Sequence, residues 1–365
     1  MKNRFLTLGL FCSTLFLSAC QFLPVSVLLS GSKEPEAVGF QDGNIKQAKF
    51  NEPYLMYSND AHKGLFIFDK NNHRIRFMDA SGEVSTFAGT GKINQNTIQS
   101  GSTQSLNSDI QEPSAPFIRN NILYFASPGC IRSIDLSVPK DKMQIKTWHG
   151  DCFSQSDTMR LPVMKSDPKK DPRLIENRDP LFWIGIRHLW VDEQLNVFMA
   201  SNGRLDLFVS AITPEGRFTD LGYYDAYKGL RLNEKNQVEV VYGVQPEGPS
   251  DYVKFYEVGI DGRKGFTGSL DKIFFRAMFA LSPDAFLTVA DLDFIGKKLV
   301  KVYTANRSTL SRETKIDVLA DIASEIEVFD DPAEVISLAY SKTDNIVYLA
   351  TRAAIYQVDL KGAKL

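Results

Sequence analysis

Pairs of short apolar strands, each pair broken by a few polar residues, recur along most of this 365-residue chain. Apolar positions alternate or run together over about four to eight residues, which is typical of β-strands. A further strand-like run precedes several pairs, as in Pro53–Ser58, Ile184–Val191, Phe274–Leu281 and Val335–Tyr340. Repetition of one such unit predicts an all-β fold built from stacked supersecondary units.

The copies of this unit can be placed along the sequence. The first lies within Gly39–Gly91 and includes a strand that ends at Asp69. Five more follow, at Ile122–Asp135, Asn196–Gly216, Val238–Gly262, Asp284–Asn306 and Asn345–Gly362. The pattern therefore predicts six repeats.

The first copy, Gly39–Gly91, resembles the NHL repeat. It has a Gly-x-x-Asp-Gly opening at Gly39, an Ala-x-Phe-x-x-Pro entry at Ala48, an Asn-His-Arg-Ile-Arg run from Asn72 and a Thr-Phe-Ala-Gly run from Thr86. Such repeats form four-stranded blades, so the resemblance implies one six-bladed β-propeller over residues 25–365, with no separate domain. The later copies lack the Asn-His-Arg signature, and five or seven blades are the alternatives.

The sixth copy reaches Leu365 immediately after its third strand. Propellers usually complete such a blade with a strand from the other end of the chain. The segment Val25–Ser32 (VSVLLSGS) is apolar and precedes the Gly39 opening, so we expect it to be the closing strand. The alternative is that it merely continues the hydrophobic leader.

The N-terminus carries an export signal. A positive start with Lys2 and Arg4 is followed by an apolar run from Phe5 to Leu17, as in secretory signal peptides. The run ends in Leu-Ser-Ala-Cys at residues 17–20, which resembles the lipobox of bacterial lipoproteins. In that family the cysteine is acylated and the preceding peptide is removed. A plain secretory signal or a short uncleaved anchor is the alternative.

The resemblance implies residues 1–20 as a lipoprotein signal peptide, Cys20 as the lipidated residue and residues 21–24 as a short tether. Acyl chains such as palmitate would hold the protein on a lipid bilayer. An Asp directly after the lipobox cysteine would resemble an inner-membrane retention signal. Residue 21 is Gln instead, which favours the outer membrane. The formal net charge of −2 gives no general reason to bind nucleic acid.

Two cysteines remain after the lipobox, Cys130 and Cys152. A hairpin turn near Pro139–Asp141 would place them opposite each other on antiparallel strands. Because the export signal sends the chain to an oxidising compartment outside the cytoplasm, we expect a disulfide between Cys130 and Cys152. Two buried free thiols, or a metal pair, are the alternatives.

The sequence contains few catalytic signals. The four histidines, His62, His73, His149 and His188, show no metal-ligand spacing, and no nucleophile elbow or phosphate loop occurs. Carboxylates at strand ends, including Asp69, Asp291 and Asp293, are expected to cap turns. Propeller lyases of the amidating kind resemble this repeat and use a metal with Tyr and Arg, but nothing beyond the blade motif matches their sites. Gluconolactonase-like propellers bind calcium through Glu, Asn and Asp from several blades, and the sequence alone does not establish such a set. We expect no cofactor and no metal.

These observations favour a non-catalytic envelope lipoprotein that binds a protein, peptide or glycan. The alternative is a lyase or lactonase-like enzyme with its site in the channel mouth. Long links at Lys92–Gln111 and Phe153–Pro180, with the Val244–Ser250 loop, should lie on one rim. On that rim the candidate binding residues are Arg160, Trp183 and Arg187, the types enriched in binding hot spots.

Overall fold

The structure is a computed structural model. It describes residues 26–32, 37–59, 62–92, 103–150, 152, 185–202, 207–224, 227–232, 237–244, 252–271, 277–280, 285–291, 300–306, 318–322 and 336–359. Within these ranges the chain forms six antiparallel sheets. None of the described helices is long and apolar enough to cross a membrane.

The first strand in the sequence is β1 (Ser26–Gly31), and it belongs to neither of the two five-stranded sheets that follow it. The first of these sheets contains β2 (Gly43–Asn44), β3 (Pro53–Ser58), β4 (Gly64–Asp69), β5 (Arg74–Met78) and β6 (Glu83–Ala88). The second contains β7 (Thr103–Gln104), β8 (Ser114–Arg119), β9 (Ile122–Ser127), β10 (Cys130–Asp135) and β11 (Gln144–Gly150).

The remaining sheets have four strands each. The third and fourth contain β12 (Ile186–Val191), β13 (Val197–Asn202), β14 (Leu207–Ile212) and β15 (Phe218–Tyr224), then β16 (Tyr227–Leu232), β17 (Val238–Val244), β18 (Tyr252–Gly259) and β19 (Gly262–Asp271). The fifth contains β20 (Ala277–Ala280), β21 (Ala285–Asp291), β22 (Val300–Asn306) and β23 (Val318–Ile322). The last contains β24 (Ser337–Ser341), β25 (Ile346–Ala350), β26 (Ala354–Asp359) and β1.

The hydrophobic core lies between neighbouring sheets. In β4 the side chains alternate: Leu65 and Ile67 pack toward the last sheet, whereas Phe66 and Phe68 pack toward the second. Phe68 contacts Phe125 of β9, with ring centroids 5.6 Å apart. All four β4 side chains are completely buried, and each contributes about 1.5–3 kcal/mol by leaving water. Strands buried on both faces explain the nearly continuous apolar runs in the sequence.

The first strands of neighbouring sheets lie side by side around a common centre. The Leu55 amide of β3 donates to Ser337 Oγ of β24 at 2.8 Å. Between β8 and β12, Ser114 Oγ donates to the Ile186 carbonyl at 3.0 Å, and Arg119 Nε donates to the Val191 carbonyl at 2.6 Å. These bonds fix the inner strands of adjacent sheets in register, which is the arrangement of a β-propeller.

Strand β1 pairs antiparallel with β26, from Ser26 opposite Val358 to Gly31 opposite Ala354. Ser30 is buried and donates to the Ala48 carbonyl at 3.0 Å, which ties the last sheet to the first. Gly31 has φ of +81°, and a Cβ there would lie 1.9 Å from the Ala353 carbonyl oxygen. The predicted strand Val25–Ser32 is therefore a strand of the last sheet.

The Asn-His-Arg-Ile-Arg run contributes a buried ion-pair network. Arg76 Nη1 donates to Asp69 Oδ2 at 3.0 Å, and Nε donates to Asp42 Oδ1 at 2.8 Å. The side chains of Arg76 and Asp69 are both fully buried. Asp42, from the Gly-x-x-Asp-Gly opening, also accepts bonds from the amide and hydroxyl of Thr86 on β6. The signature residues thus join the opening, the middle strands and the outer strand of one sheet.

The role of Asp69 differs from the expected capping of a nearby turn. Its carboxylate accepts from the Asn51 amide at 2.8 Å and from Asn72 Nδ2 at 2.9 Å, besides pairing with Arg76. Burial raises the pKa of Asp69 to about 6, while those hydrogen bonds and the Arg76 charge oppose the rise. Asp69 is therefore the centre of a cross-linked network.

His73 contacts the segment before the inner strand of the next sheet. Its Nδ1 accepts from the Glu112 amide at 3.2 Å. His73 and Glu112 have φ of +53° and +39°, respectively. Such backbone costs about 1–3 kcal/mol per residue and persists where the surroundings hold it. Burial lowers the pKa of His73, so a neutral ring accepts this bond.

The predicted disulfide between Cys130 and Cys152 is present, with Cα atoms 4.9 Å apart. The residue opposite Cys130 on β11 is Gly150, and Cys152 lies two positions past the strand. The bridge closes the β10–β11 hairpin beyond its last paired residue. A disulfide that closes a loop of this size stabilises a fold by about 2–4 kcal/mol.

Part of the predicted link Lys92–Gln111 is not a loop. Residues Thr103–Gln104 form β7, which pairs with β11 as the outermost strand of the second sheet. A short 3-10 turn at Ser105–Asn107 follows. The pairing repeats that of β2 with β6 in the first sheet, although two residues are too few to show an alternating pattern. Residues 93–102, 153–180 and 245–250 lie outside the described ranges.

Candidate functional site

A cavity of about 300 Å³ lies between the inner strands. Its described walls come from β3, β8, β12, β16 and β24, so it occupies the centre around which the sheets are arranged. Its lining reaches from Tyr54 and Ser337 near the starts of two inner strands to Asn59 and Lys342 just beyond their ends. A pocket of this size and position suits a small organic molecule.

Three inner strands are irregular at their starts. The pairing register shifts between Ser114 and Phe117 in β8, between Ile186 and His188 in β12, and between Tyr227 and Gly229 in β16. Bulges reorient side chains and occur often beside functional sites. In β12 the residue at the shift is Arg187, which lines the cavity together with its neighbour His188. A regular strand would point these two side chains in opposite directions.

The neighbouring inner strand at this mouth is also strained. Ala115 of β8 has φ of +48° and precedes Pro116, and both residues line the cavity. A non-glycine residue at positive φ costs about 1–3 kcal/mol, and such strain is concentrated at ligand sites. The strain is located where the inner wall bulges.

Aromatic side chains form much of the cavity wall. Phe117 and Trp190 contact each other with ring centroids 4.6 Å apart, and Tyr54, Tyr57 and Tyr340 also line the space. The indole Nε1 of Trp190 is buried and has no hydrogen-bond partner among the described residues. Buried indoles usually find an acceptor, so Trp190 contributes its ring face, and not its N–H, to the described wall.

The electrostatic character of the described wall is positive. Its ionisable cations are Arg187 and Lys342, both exposed, and no described lining residue is acidic. Burial, together with the neighbouring Arg187 charge, lowers the pKa of His188 to about 4. At neutral pH the site therefore presents an uncharged imidazole beside a guanidinium. This pair can accept a proton and stabilise a negative oxygen.

The donor chemistry does not match a calcium or other metal centre. Calcium takes six to eight oxygen ligands, commonly carboxylates, whereas the described lining offers cations, rings and amides. Within the described ranges, no three His, Cys, Asp or Glu side chains form a metal-binding group. The metal sites of gluconolactonase-like and amidating propellers are thus not reproduced by these residues.

The structure describes one of the three predicted binding residues. Arg187 lies at the second position of β12, where it lines the cavity. Arg160 and Trp183 fall outside the described residues, as do Cys20 and Asp293. Asp291 is the last residue of β21.

Solved structures similar to this one are β-propeller proteins. A gluconolactonase from Xanthomonas campestris is 9% identical, with a TM-score of 0.50, over 92% of this chain and 89% of that one. A protein of unknown function from Bacteroides thetaiotaomicron is 12% identical, with a TM-score of 0.51, over 92% and 76%. A virginiamycin B lyase from Staphylococcus aureus is 10% identical, with a TM-score of 0.44, over 88% and 98%.

At these identities the likeness shows the fold alone. No protein-family model matches the sequence, and no curated protein does. The chain is therefore an all-β propeller, and its function must be argued from its own residues.

The sequence predicts a strand over Ile184–Val191 and puts Arg187 on a rim as a candidate binding residue. It does not predict that Arg187 and His188 line one cavity. The bulge brings both Arg187 and His188 to the cavity, and no glycine within it marks it in the sequence. The nearby feature that hints at irregular backbone is Gly185, which precedes β12 and has φ of +71°.

Proposed function

We propose that the central cavity of this propeller binds a small organic anion and acts on it as a lyase or lactonase-like enzyme. The observation that carries the proposal is the neutral His188 beside Arg187 in one aromatic cavity. The protein would thus be an enzyme of the channel-mouth type, which we prefer to a purely non-catalytic scaffold.

The chemistry assigns a role to each group. A neutral imidazole accepts a proton from an acidic C–H beside a carbonyl, or from a water that attacks a lactone. The guanidinium of Arg187 stabilises the oxygen on which negative charge develops. The rings of Phe117 and Trp190 supply flat apolar surface. Lys342, at the far end of the lining, attracts a carboxylate.

The comparison with solved structures supports this class of function. The Xanthomonas protein is described as a gluconolactonase, so a propeller of this outline accommodates lactone chemistry. It contributes no residue correspondence, and the substrate class proposed here follows from the cavity's charge and rings.

Substitutions at the cavity mouth test the proposal. We expect Arg187→Gln to weaken binding of aldonates and lactones by about 10- to 100-fold, because a charged hydrogen bond contributes about 1.5–3 kcal/mol. We expect His188→Gln to retain binding but to lower turnover by about 10²- to 10⁴-fold. Calorimetry and lactone hydrolysis or elimination assays on the full chain, purified in detergent, measure the two effects.

The matched control is Arg217→Gln, which removes an exposed arginine from the turn before β15 and should change neither binding nor turnover. Full turnover in the His188 variant would show that the imidazole is not the base. Equal affinities in the native chain and the Arg187 variant would remove the guanidinium from the site.

A non-catalytic binding module is the second candidate. It is favoured by the aromatic wall, since rings and arginine are the groups enriched at recognition sites. The partner would be an envelope protein, peptide or glycan held at the mouth by Arg187, with Arg160 and Trp183 on the adjoining link. Tight binding without turnover in either assay would support this candidate over the enzyme.

We also propose that the sheets close a six-bladed ring and that the protein is anchored at the outer membrane through acylated Cys20. Six sheets in the described ranges and the β1–β26 pairing support the ring. The lipobox at residues 17–20 supports the anchor. With residues 21–24 as the tether, the propeller would stand close to the bilayer.

Replacement of Cys20 with Ala tests the anchor. We expect the variant to remain an unlipidated precursor, to incorporate no labelled palmitate and to be lost from outer-membrane fractions, because no thiol remains to acylate. Density-gradient flotation of both forms measures the change. Palmitate incorporation at native level in the variant would show that the lipid is attached elsewhere.

A further inference from the structure

The first two sheets contain equivalent buried arginines with different surroundings. Arg76 on β5 and Arg132 on β10 are 0% and 1% exposed. Each donates from Nη1 to a main-chain carbonyl of the segment before its sheet's inner strand: Arg76 to Lys49 at 2.8 Å and Arg132 to Asp109 at 3.1 Å. The two guanidinium groups therefore occupy matching places in consecutive sheets.

The buried acidic partner of Arg76 is not repeated in the second sheet. Asp69 lies opposite the first residue of β5, and Ser127 lies opposite the first residue of β10. The position that holds the Asp69 carboxylate beside Arg76 is thus a serine in the sheet of Arg132.

The charge of Arg132 is consequently exceptional. Within the part of the chain that the structure describes, no carboxylate lies within salt-bridge distance of it, and its Nε has no acceptor. Ser127 Oγ, 4% exposed, is also without a partner there. Burial lowers the pKa of Arg132 to about 10, and the charge of Asp109 opposes that fall. The Asp109 carboxylate accepts from the Thr90 hydroxyl.

Register places the two unpartnered groups on one face. Ser127 pairs with Cys130, and Arg132 is two residues further along β10, so Ser127 and Arg132 project to the same side. The Asp69–Arg76 contact of the first sheet shows that side chains at these positions can meet. Exchange of an aspartate for a serine removes a carboxylate's volume and charge and leaves a hydroxyl donor.

We propose that Arg132 and Ser127 bind a small monovalent anion of the halide class. In the second sheet this anion occupies the place that the Asp69 carboxylate has beside Arg76 in the first sheet. One buried positive charge calls for one negative charge, because an unpaired buried ion is costly. A divalent anion would leave an excess of negative charge in an apolar surrounding. The Nε–H and hydroxyl donors suit a spherical acceptor such as chloride.

Thermal unfolding of the full chain tests this site. At constant ionic strength, replacement of isethionate by chloride should raise the melting temperature saturably by about 2 °C or more, since the anion binds the folded state. Crystals soaked in bromide should show an anomalous peak within hydrogen-bonding distance of Arg132 Nε. A bromide-free Arg132 with a chloride-independent melting temperature would overturn the proposal.

A substitution restores the missing carboxylate. Ser127→Asp should raise the melting temperature in isethionate to that of the native chain in chloride, and it should abolish the chloride dependence. Gln144→Glu, which adds a negative charge on the exposed side of β11, should keep the dependence, as should Arg187→Gln in the central cavity. Persistent chloride dependence in a folded Ser127→Asp variant would place the anion elsewhere. The bromide peak decides the matter if that variant does not fold.

Discussion

Substitution of Arg76 by Met is expected to lower the free energy of unfolding by about 3–5 kcal/mol. The substitution keeps an apolar stem but leaves the carboxylate of Asp69, which is fully buried, without its charge partner. It also removes the donors to Asp42 and to the Lys49 carbonyl. Urea unfolding followed by tryptophan fluorescence measures the loss.

The effect should depend on pH. The pKa of Asp69 is raised to about 6 in the folded protein, above its ordinary value of 3.8, and loss of Arg76 raises it further. A carboxyl with a raised folded pKa opposes folding when ionised, so its cost is present near pH 7 and disappears as the pH falls through that pKa. We therefore expect the Arg76→Met variant to recover part of its stability between pH 7 and pH 4.

The double variant Asp69→Asn, Arg76→Met is the control for this interpretation. It removes both charges, so it should be more stable at pH 7 than Arg76→Met alone and should lack the recovery at low pH. A loss below 1 kcal/mol in Arg76→Met at pH 7 would contradict a network of this importance.

Deletion of residues 25–32 is expected to lower the melting temperature by about 5–10 °C or to prevent folding. The deletion removes β1, exposes the edge of β26 and breaks the Ser30 bond to Ala48. Scanning calorimetry of chains that keep the signal segment measures the effect. An unchanged melting temperature would show that this segment is only a tether.

A double substitution separates pairing from hydrophobicity. Val27 and Leu28 of β1 are 62% and 38% exposed, so Val27→Thr, Leu28→Thr keeps the strand while making it polar. We expect this variant to melt close to the native chain, because its main-chain bonds to β26 persist. A large loss here would mean that the exposed side chains, and not the pairing, stabilise the last sheet.

Local pattern carried most of the fold. Pro53–Ser58 is a strand with the predicted bounds, and Ile122–Asp135 contains β9 and β10 as predicted. The reason is physical: strands buried on both faces need apolar runs, and the turns between them need polar residues. The inner strand of the third sheet begins at Ile186 instead of Ile184, a difference at a boundary.

The site was less accessible to sequence reasoning. The register shifts in β8, β12 and β16 arise from packing around the cavity, and an ordinary residue such as Ala115 occupies the strained position. The replacement of Asp69 by Ser127 in the second sheet could have been found by aligning the first two copies on Arg76. The role of Ser127 can be interpreted only when the structure shows that Asp69, at the equivalent position, pairs with Arg76.

The pairing of β1 with β26 also sets an order of events in time. About 330 residues separate the two strands, which corresponds to about 15–65 s of synthesis at common elongation rates. During that interval β1 has no partner strand, because β24, β25 and β26 are not yet made. The disulfide-bearing hairpin, whose cysteines are 22 positions apart, already has both of its partners. If the chain is exported as proposed, this delay would keep the last sheet from forming early. Loss of about the last 20 residues, through a nonsense mutation for example, would remove β25 and β26 and leave β1 without its partner strand.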